Sequence, residues 1–158
     1  MLNIKKQLDA LEYGFIIRQS EYIGNECVTI SNGKGMVITL TEQERPNGME
    51  PYHIAHIEIV SKEGEWEHIG NYPIWFKESI PSFVEGFAKR LGVYVETMAM
   101  AIDLAESTVH GAFVVKAVTD WDWVIIYTLE CETCEMLVSI DMGTLKTTID
   151  KLTVKGGK

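Results

Sequence analysis

No stretch of this sequence approaches the run of about 18 apolar residues that a membrane-crossing helix needs. Its first residues, MLNIKKQLDALEYG, alternate apolar with charged side chains where a secretory leader would carry a hydrophobic stretch and a small-residue cleavage site. Secretion and membrane association are therefore not expected, and the expected compartment is the cytoplasm. Cysteine is scarce and odd in number: Cys27, Cys131 and Cys134 suit thiols in a reducing compartment, and structural disulfides are not expected. Basic residues are short as well, 14 against 23 acidic ones, for a net charge of −9. The shortage is regional. Residues 103 to 141 carry Asp103, Glu106, Asp120, Asp122, Glu130, Glu132, Glu135 and Asp141 against Lys116 alone, a net of −7. Such a stretch repels phosphate backbones and anionic lipid and steers in a basic protein; it also serves plain solubility.

What is present is ordinary globular material. At 158 residues, 46% hydrophobic and 23% charged, the chain is long enough to bury about two-thirds of its unfolded surface without a metal or disulfide staple. One domain is expected over residues 1–154, with residues 155–158, KGGK, as a flexible tail.

Periodicity supplies the elements. Residues 3–12 place Ile4, Leu8 and Leu11 on one helical stripe, with Asn3 as cap and Gly14 as stop. From Phe15 the period is two: Val28, Ile30, Met36, Ile38 and Leu40 point one way, Thr29, Ser31, Val37 and Thr39 the other. Asn32-Gly33 is expected to supply the positive φ angles of a hairpin turn, since Lys34 is followed by neither Ser nor Thr and a strand, not a helix, comes next. After the polar loop EQERPNGMEP, the runs YHIAHIEIV and KEGEWEHIG complete a meander of four or five strands. From Ser79 the period lengthens, with Phe83, Phe87 and Leu91 on one stripe and Val95, Met98, Ile102 and Ala105 on a second, which gives two helices or one broken at Gly92. Three strands follow at 112–119, 122–130 and 135–141, and Met142, Leu145, Ile149 and Leu152 mark a C-terminal helix. The expected fold class is α+β: two antiparallel β-meanders separated by one or two helices, with short N- and C-terminal helices packed on the sheet.

Chemistry-bearing residues are few. Cys131 and Cys134, placed where two strands turn back, have a spacing that lets two thiolates share a zinc ion, but a structural site takes four ligands and no second pair exists. A redox role normally sets the first thiol at a helix N-terminus, whereas this pair lies between strands, so an ordinary turn is expected. His53 and His56, three apart on a strand, fall on opposite faces; His56 and Glu58 share one, where a cross-strand pair is favoured over catalysis. No catalytic residue, metal ligand or cofactor is assigned. TDWDWVIIY sets Trp121, Trp123, Ile125 and Tyr127 in one strand phase, so the two tryptophans either fill the core or, flanked by Asp120 and Asp122 at a strand end, serve as interface anchors.

Two resemblances follow. The stretch FAKRLGVYVETMAMAIDLAES, with Ala88, Gly92 and apolar Phe87, Leu91, Val93 and Met98, resembles the helix-turn-helix of DNA-binding regulators over about 20 residues. Between Tyr94 and Glu106, however, it offers no base to a phosphate and carries Glu96, Asp103 and Glu106. The order of elements, length and acidity resemble small acidic secretion chaperones, which implies a dimer that binds protein clients. The leading expectation is a non-enzymatic protein-binding module of inhibitor, immunity-factor or chaperone type. Asp120, Trp121, Asp122, Trp123, Glu130, Glu132 and Glu135 would meet a partner with a basic surface, and a homodimer is compatible. The runner-up is a helix-turn-helix regulator using residues 83–106, and a metal-binding or hydrolytic enzyme comes third.

Overall fold

The computed structural model describes residues 3–22 and 24–156, leaving out the side chain of Tyr22. Residues 157 and 158 of the expected tail lie outside the described residues. The chain is α+β, with two antiparallel sheets and one long helix. A short helix α1 (Lys5–Asp9) precedes strands β1 (Ile16–Tyr22), β2 (Asn25–Ser31), β3 (Met36–Gln43), β4 (Tyr52–Val60) and β5 (Trp66–Ile74). These form one five-stranded sheet in sequence order. Helix α2 (Ile80–Thr108) leads to β6 (Val114–Asp120), β7 (Val124–Glu130), β8 (Cys134–Asp141) and β9 (Thr147–Val154), a four-stranded sheet also in sequence order. By contact the chain divides into two compact units, Met1–Ile59 with Asn71–Leu91, and Val60–Gly70 with Gly92–Lys158.

In the first unit the alternation expected of β2 and β3 is the alternation observed: Val28, Ile30, Met36, Ile38 and Leu40 are all fully buried, joined by Ala55 and Ile57 of β4. Burying five such side chains contributes on the order of 10 kcal/mol before chain entropy is counted, which fixes the register of the meander. The β2–β3 turn works differently from expectation. Gly33 and Gly35 take the positive φ angles (68° and 95°), while Asn32 uses its side-chain oxygen to accept from the Lys34 and Met36 amides at 2.8 and 3.0 Å. Asn32 is thus a side-chain clasp, as Asx residues commonly are in turns. Pro73 sits in β5, an edge strand, the kind of strand to which proline is largely confined. Helix α1 is shorter than expected and its first residue has no side-chain cap, yet Ile4, Leu8 and Leu11 are buried as the stripe requires.

Two elements differ from the sequence reading. First, α2 is a single 29-residue helix, unbroken at Gly92. Buried or half-buried Ile80, Val84, Phe87, Leu91, Tyr94, Met98, Ala101 and Ala105 follow one another at steps of three and four, so no phase jump marks a turn. A helical glycine costs only about 1 kcal/mol relative to alanine, and continuous burial on both sides outweighs that. The helix-turn-helix shape expected of residues 83–106 is therefore absent.

Second, the expected C-terminal helix is strand β9. Its pairing with β8 carries a bulge: Leu137 faces Lys151 while Val138 faces Ile149, which leaves Asp150 as an extra residue. The bulge puts Ile149 and Leu152, three apart, on the same side of the strand, opposite Val138 and Met136. A spacing of three is also that of a helix face. Strand β6 has the same device. Lys116 is extra between Val115 and Ala117, so Val115 and Val118, three apart, are both buried.

Candidate partner-binding surface

The second unit is organised around Tyr127, a fully buried residue at the middle of β7. Its hydroxyl donates to the Tyr94 carbonyl at 3.0 Å and lies 2.8 Å from the Thr97 hydroxyl, so the buried polar tip has partners. Ile125, Leu129, Met136, Val138 and Ile140 complete the buried face of this sheet.

From this rigid base the β6–β7 turn projects. Trp121 and Trp123 are 59% and 72% exposed. The strand does not extend to them: β7 begins at Val124, and the turn before it is built by Asp122 at φ 67°, a backbone that Asp adopts more readily than most residues. Asp120 Oδ1 accepts from the Asp122 amide at 2.9 Å, Asp120 Oδ2 accepts from the Tyr94 hydroxyl at 2.8 Å, and the Trp121 amide donates to the Val124 carbonyl at 3.0 Å. The core alternative for the two indoles is thereby removed. The neighbouring β8–β9 turn is tied to the same place by the Met142 amide, which donates to the Trp123 carbonyl at 2.9 Å. It adds Leu145, 53% exposed at φ 60°, and Asp141, whose carboxylate is held below its usual range by hydrogen bonds from the Thr144 and Gly143 amides. Three large apolar side chains and three aspartates thus share one end of the four-stranded sheet. In the sequence Leu145 has the spacing of a helix face; in the structure it belongs to this turn.

The acidic residues expected to join this surface do not all lie there. Glu130, Glu132 and Glu135 flank the β7–β8 turn, the length of a seven-residue strand away, about 20 Å at the usual rise. Glu130 lies 2.9 Å from Lys155 and 3.4 Å from Lys116, which also bridges Glu135 at 3.4 Å. The Lys155 ammonium beside Glu130 holds its carboxyl below the ordinary value. Lys116, the bulge residue of β6, is thus placed to neutralise two acids, and Lys155 of the expected tail is bound to a third contact, its amide donating to the Thr133 carbonyl at 2.8 Å.

Cys131 and Cys134 occupy the ends of this β7–β8 turn, buried, with their Sγ atoms 3.5 Å apart. The Thr133 hydroxyl, 3.4 Å from Cys131 Sγ, brings that thiol down to about 7, while burial pushes the Cys134 thiol up. Among the described residues no group of three or more His, Cys, Asp or Glu side chains is placed to hold a metal ion.

In the first unit, His53 and His56 fall on opposite faces of β4 as their spacing requires. His56 is clasped across three strands, Nε2 3.1 Å from the Thr41 hydroxyl and Nδ1 2.7 Å from Asn71 Oδ1, and not by Glu58. His53 is 2% exposed, and burial lowers its pKa against the opposing pull of Glu42, 3.7 Å away. Trp75 offers a control for exposure. It is 54% exposed yet already engaged: its ring lies 4.6 Å from that of Tyr52, its carbonyl accepts from Arg45 at 2.6 Å, and the guanidinium sits 5.4 Å over the indole.

No helix is long and apolar enough to cross a membrane among the described residues. No protein-family model, no curated protein and no solved structure matches this chain, so its functional reading rests on the surface itself.

Proposed function

We propose that this chain is a non-enzymatic protein-binding module of the cytoplasm, of inhibitor, immunity-factor or chaperone type, which docks a partner with a basic surface through Trp121 and Trp123. The observation that carries this reading is the exposure of both indoles on one turn, rimmed by Asp120, Asp122 and Asp141. Tryptophan is expensive to leave in water and is enriched among the residues that dominate interfaces, and flanking carboxylates select cationic partners over nucleic acid or anionic lipid. The same aspartates disfavour a homodimer through this surface, because two copies would bring like charges together. A helix-turn-helix regulator loses its support with the unbroken α2 and its acidic second half.

The deciding experiment is capture from native lysate on immobilised wild type and on the Trp121→Ala, Trp123→Ala double variant, followed by mass spectrometry. Basic proteins retained by wild type and lost from the folded variant are the expected result. Identical eluates from both would refute the role of the indoles, and retention of nucleic acid alone would refute the module.

A further inference from the structure

The β7–β8 turn brings two buried thiols face to face, their sulfurs 3.5 Å apart. Cys131 and Cys134 are directly opposed, with the Cys131 amide donating to the Cys134 carbonyl at 2.9 Å. Opposed, hydrogen-bonded residues of an antiparallel pair have Cα atoms about 5.5 Å apart, inside the window of about 4.4–6.8 Å that a disulfide spans. Both side chains continue the buried phase of their strands and meet at 3.5 Å, so joining them needs a short approach of the sulfurs and no change of strand register. We propose that Cys131 and Cys134 are a redox-active dithiol, oxidised by a small-molecule disulfide of the glutathione class to an intrachain disulfide that locks the β7–β8 turn.

The two sulfurs have unequal roles. Cys131 lies beside the Thr133 hydroxyl, which stabilises its thiolate near neutral pH, and it is followed by Glu132 and Thr133, both exposed. Its thiolate attacks one sulfur of the reagent, releasing one thiolate and forming a mixed disulfide on Cys131. Cys134 then gives its proton to solvent, and its sulfur displaces the reagent's remaining sulfur from Cys131. The protein pair loses two electrons and two protons, and the reagent's disulfide becomes two thiols. Gly111 adds a constraint: a Cβ there would stand 3.3 Å from Cys131 Cβ and 3.4 Å from its sulfur, so that flank admits little else. Cys27, buried on β2 in the other unit, takes no part.

The test equilibrates folded, reduced protein with glutathione buffers of increasing glutathione disulfide content, quenches in acid, labels the remaining thiols under denaturing conditions and reads the intact mass. Two thiols should be lost together from the monomer, with peptide mapping linking residues 131 and 134 and Cys27 still labelled. Cys134→Ser should stop at a mixed disulfide on Cys131, and Cys131→Ser should give neither product. Thr133→Val should slow the first step at pH 7 and move its pH midpoint upward from about 7. The proposal is overturned if folded wild type keeps all three thiols in the most oxidising buffer, if the disulfide formed joins two chains, or if the purified protein carries a zinc ion on these thiols.

Discussion

At one end of β7 the chain reverses through Trp121, Asp122 and Trp123 and leaves both indoles in solvent; at the other it reverses through Glu132 and Thr133 and keeps Cys131 and Cys134 buried. By strand alternation the two ends should match. Residues 121, 123, 125, 127, 129 and 131 share one phase, and from Ile125 to Cys131 every one of them is buried. At the thiol end Cys131 follows the buried phase of β7, and its amide donates to the carbonyl of Cys134, which opens the buried phase of β8. At the tryptophan end the turn is closed by the same bond, the Trp121 amide donating to the Val124 carbonyl, so Trp121 stands on the β6 side opposite Val124, in the other phase from Ile125, while Trp123 lies in the turn beside Asp122 at its positive φ. Exposure of the indoles is therefore imposed by backbone, and the larger side chains are the ones left outside. A fold seldom does that for stability's sake, which is why the two ends point to different uses.

The sharpest way to break this comparison is to truncate the same phase at its middle and at its end. Tyr127→Ala should cost about 3–5 kcal/mol, since it removes a fully buried ring and takes from Thr97 one of its two hydrogen-bond partners, the other being the Val93 carbonyl. Trp123→Ala, in the same phase but exposed, should stay within about 0.5 kcal/mol of wild type. Denaturant melts of the two variants settle it, and a Trp123→Ala protein as damaged as Tyr127→Ala would return that indole to the core.

Next in size is the effect on binding. With the partner recovered by capture, Trp121→Ala or Trp123→Ala should raise the dissociation rate about tenfold or more, roughly 1.4 kcal/mol, while association changes little. Trp75→Ala is the matched control, exposed to a similar degree but stacked on Tyr52 and Arg45 in the other unit, and it should leave the dissociation rate unchanged. Native fluorescence gives an early check. All four tryptophans are more than half exposed, so emission should be that of a solvated indole and shift little on unfolding.

How much of this was legible beforehand depended on whether a residue's neighbours in sequence were also its neighbours in space. The core of β2 and β3 was legible because alternation is local and unbroken from Val28 to Leu40. Strand β9 was not, because the bulge at Asp150 converts a period of two into a spacing of three, and only the pairing with Val138 and Met136 reveals it. The single helix α2 was obscured by Gly92, whose cost is real but smaller than the burial that spans it. The tryptophans were visible as candidates, but a strand was expected to begin at Asp122, and the positive φ that places this residue in the turn is not written in composition. Thr133, which tunes Cys131, and Lys116, which neutralises Glu130 and Glu135, depend on contacts no spacing rule supplies.

The smallest effect separates the acids at the two ends. Asp120 and Asp122 adjoin the indoles, whereas Glu130 and Glu135 lie about 20 Å away and are bridged by lysines of the same chain. At about 0.15 M salt the screening length is roughly 8 Å, so charges at the thiol end should scarcely be felt by a partner approaching the tryptophans. Asn at 120 keeps one acceptor oxygen for the residue-122 amide and turns its NH2 toward the Tyr94 hydroxyl oxygen, which can accept, and Asn tolerates the positive φ at 122, so the turn should persist. Stopped-flow association of that double variant should fall by about threefold to tenfold at low salt, with a flatter salt dependence. Glu130→Gln with Glu135→Gln should change the rate by less than about twofold under the same conditions. Equal losses from the two pairs would mean that the partner spans the whole length of β7, and the glutamates would then rejoin the docking surface.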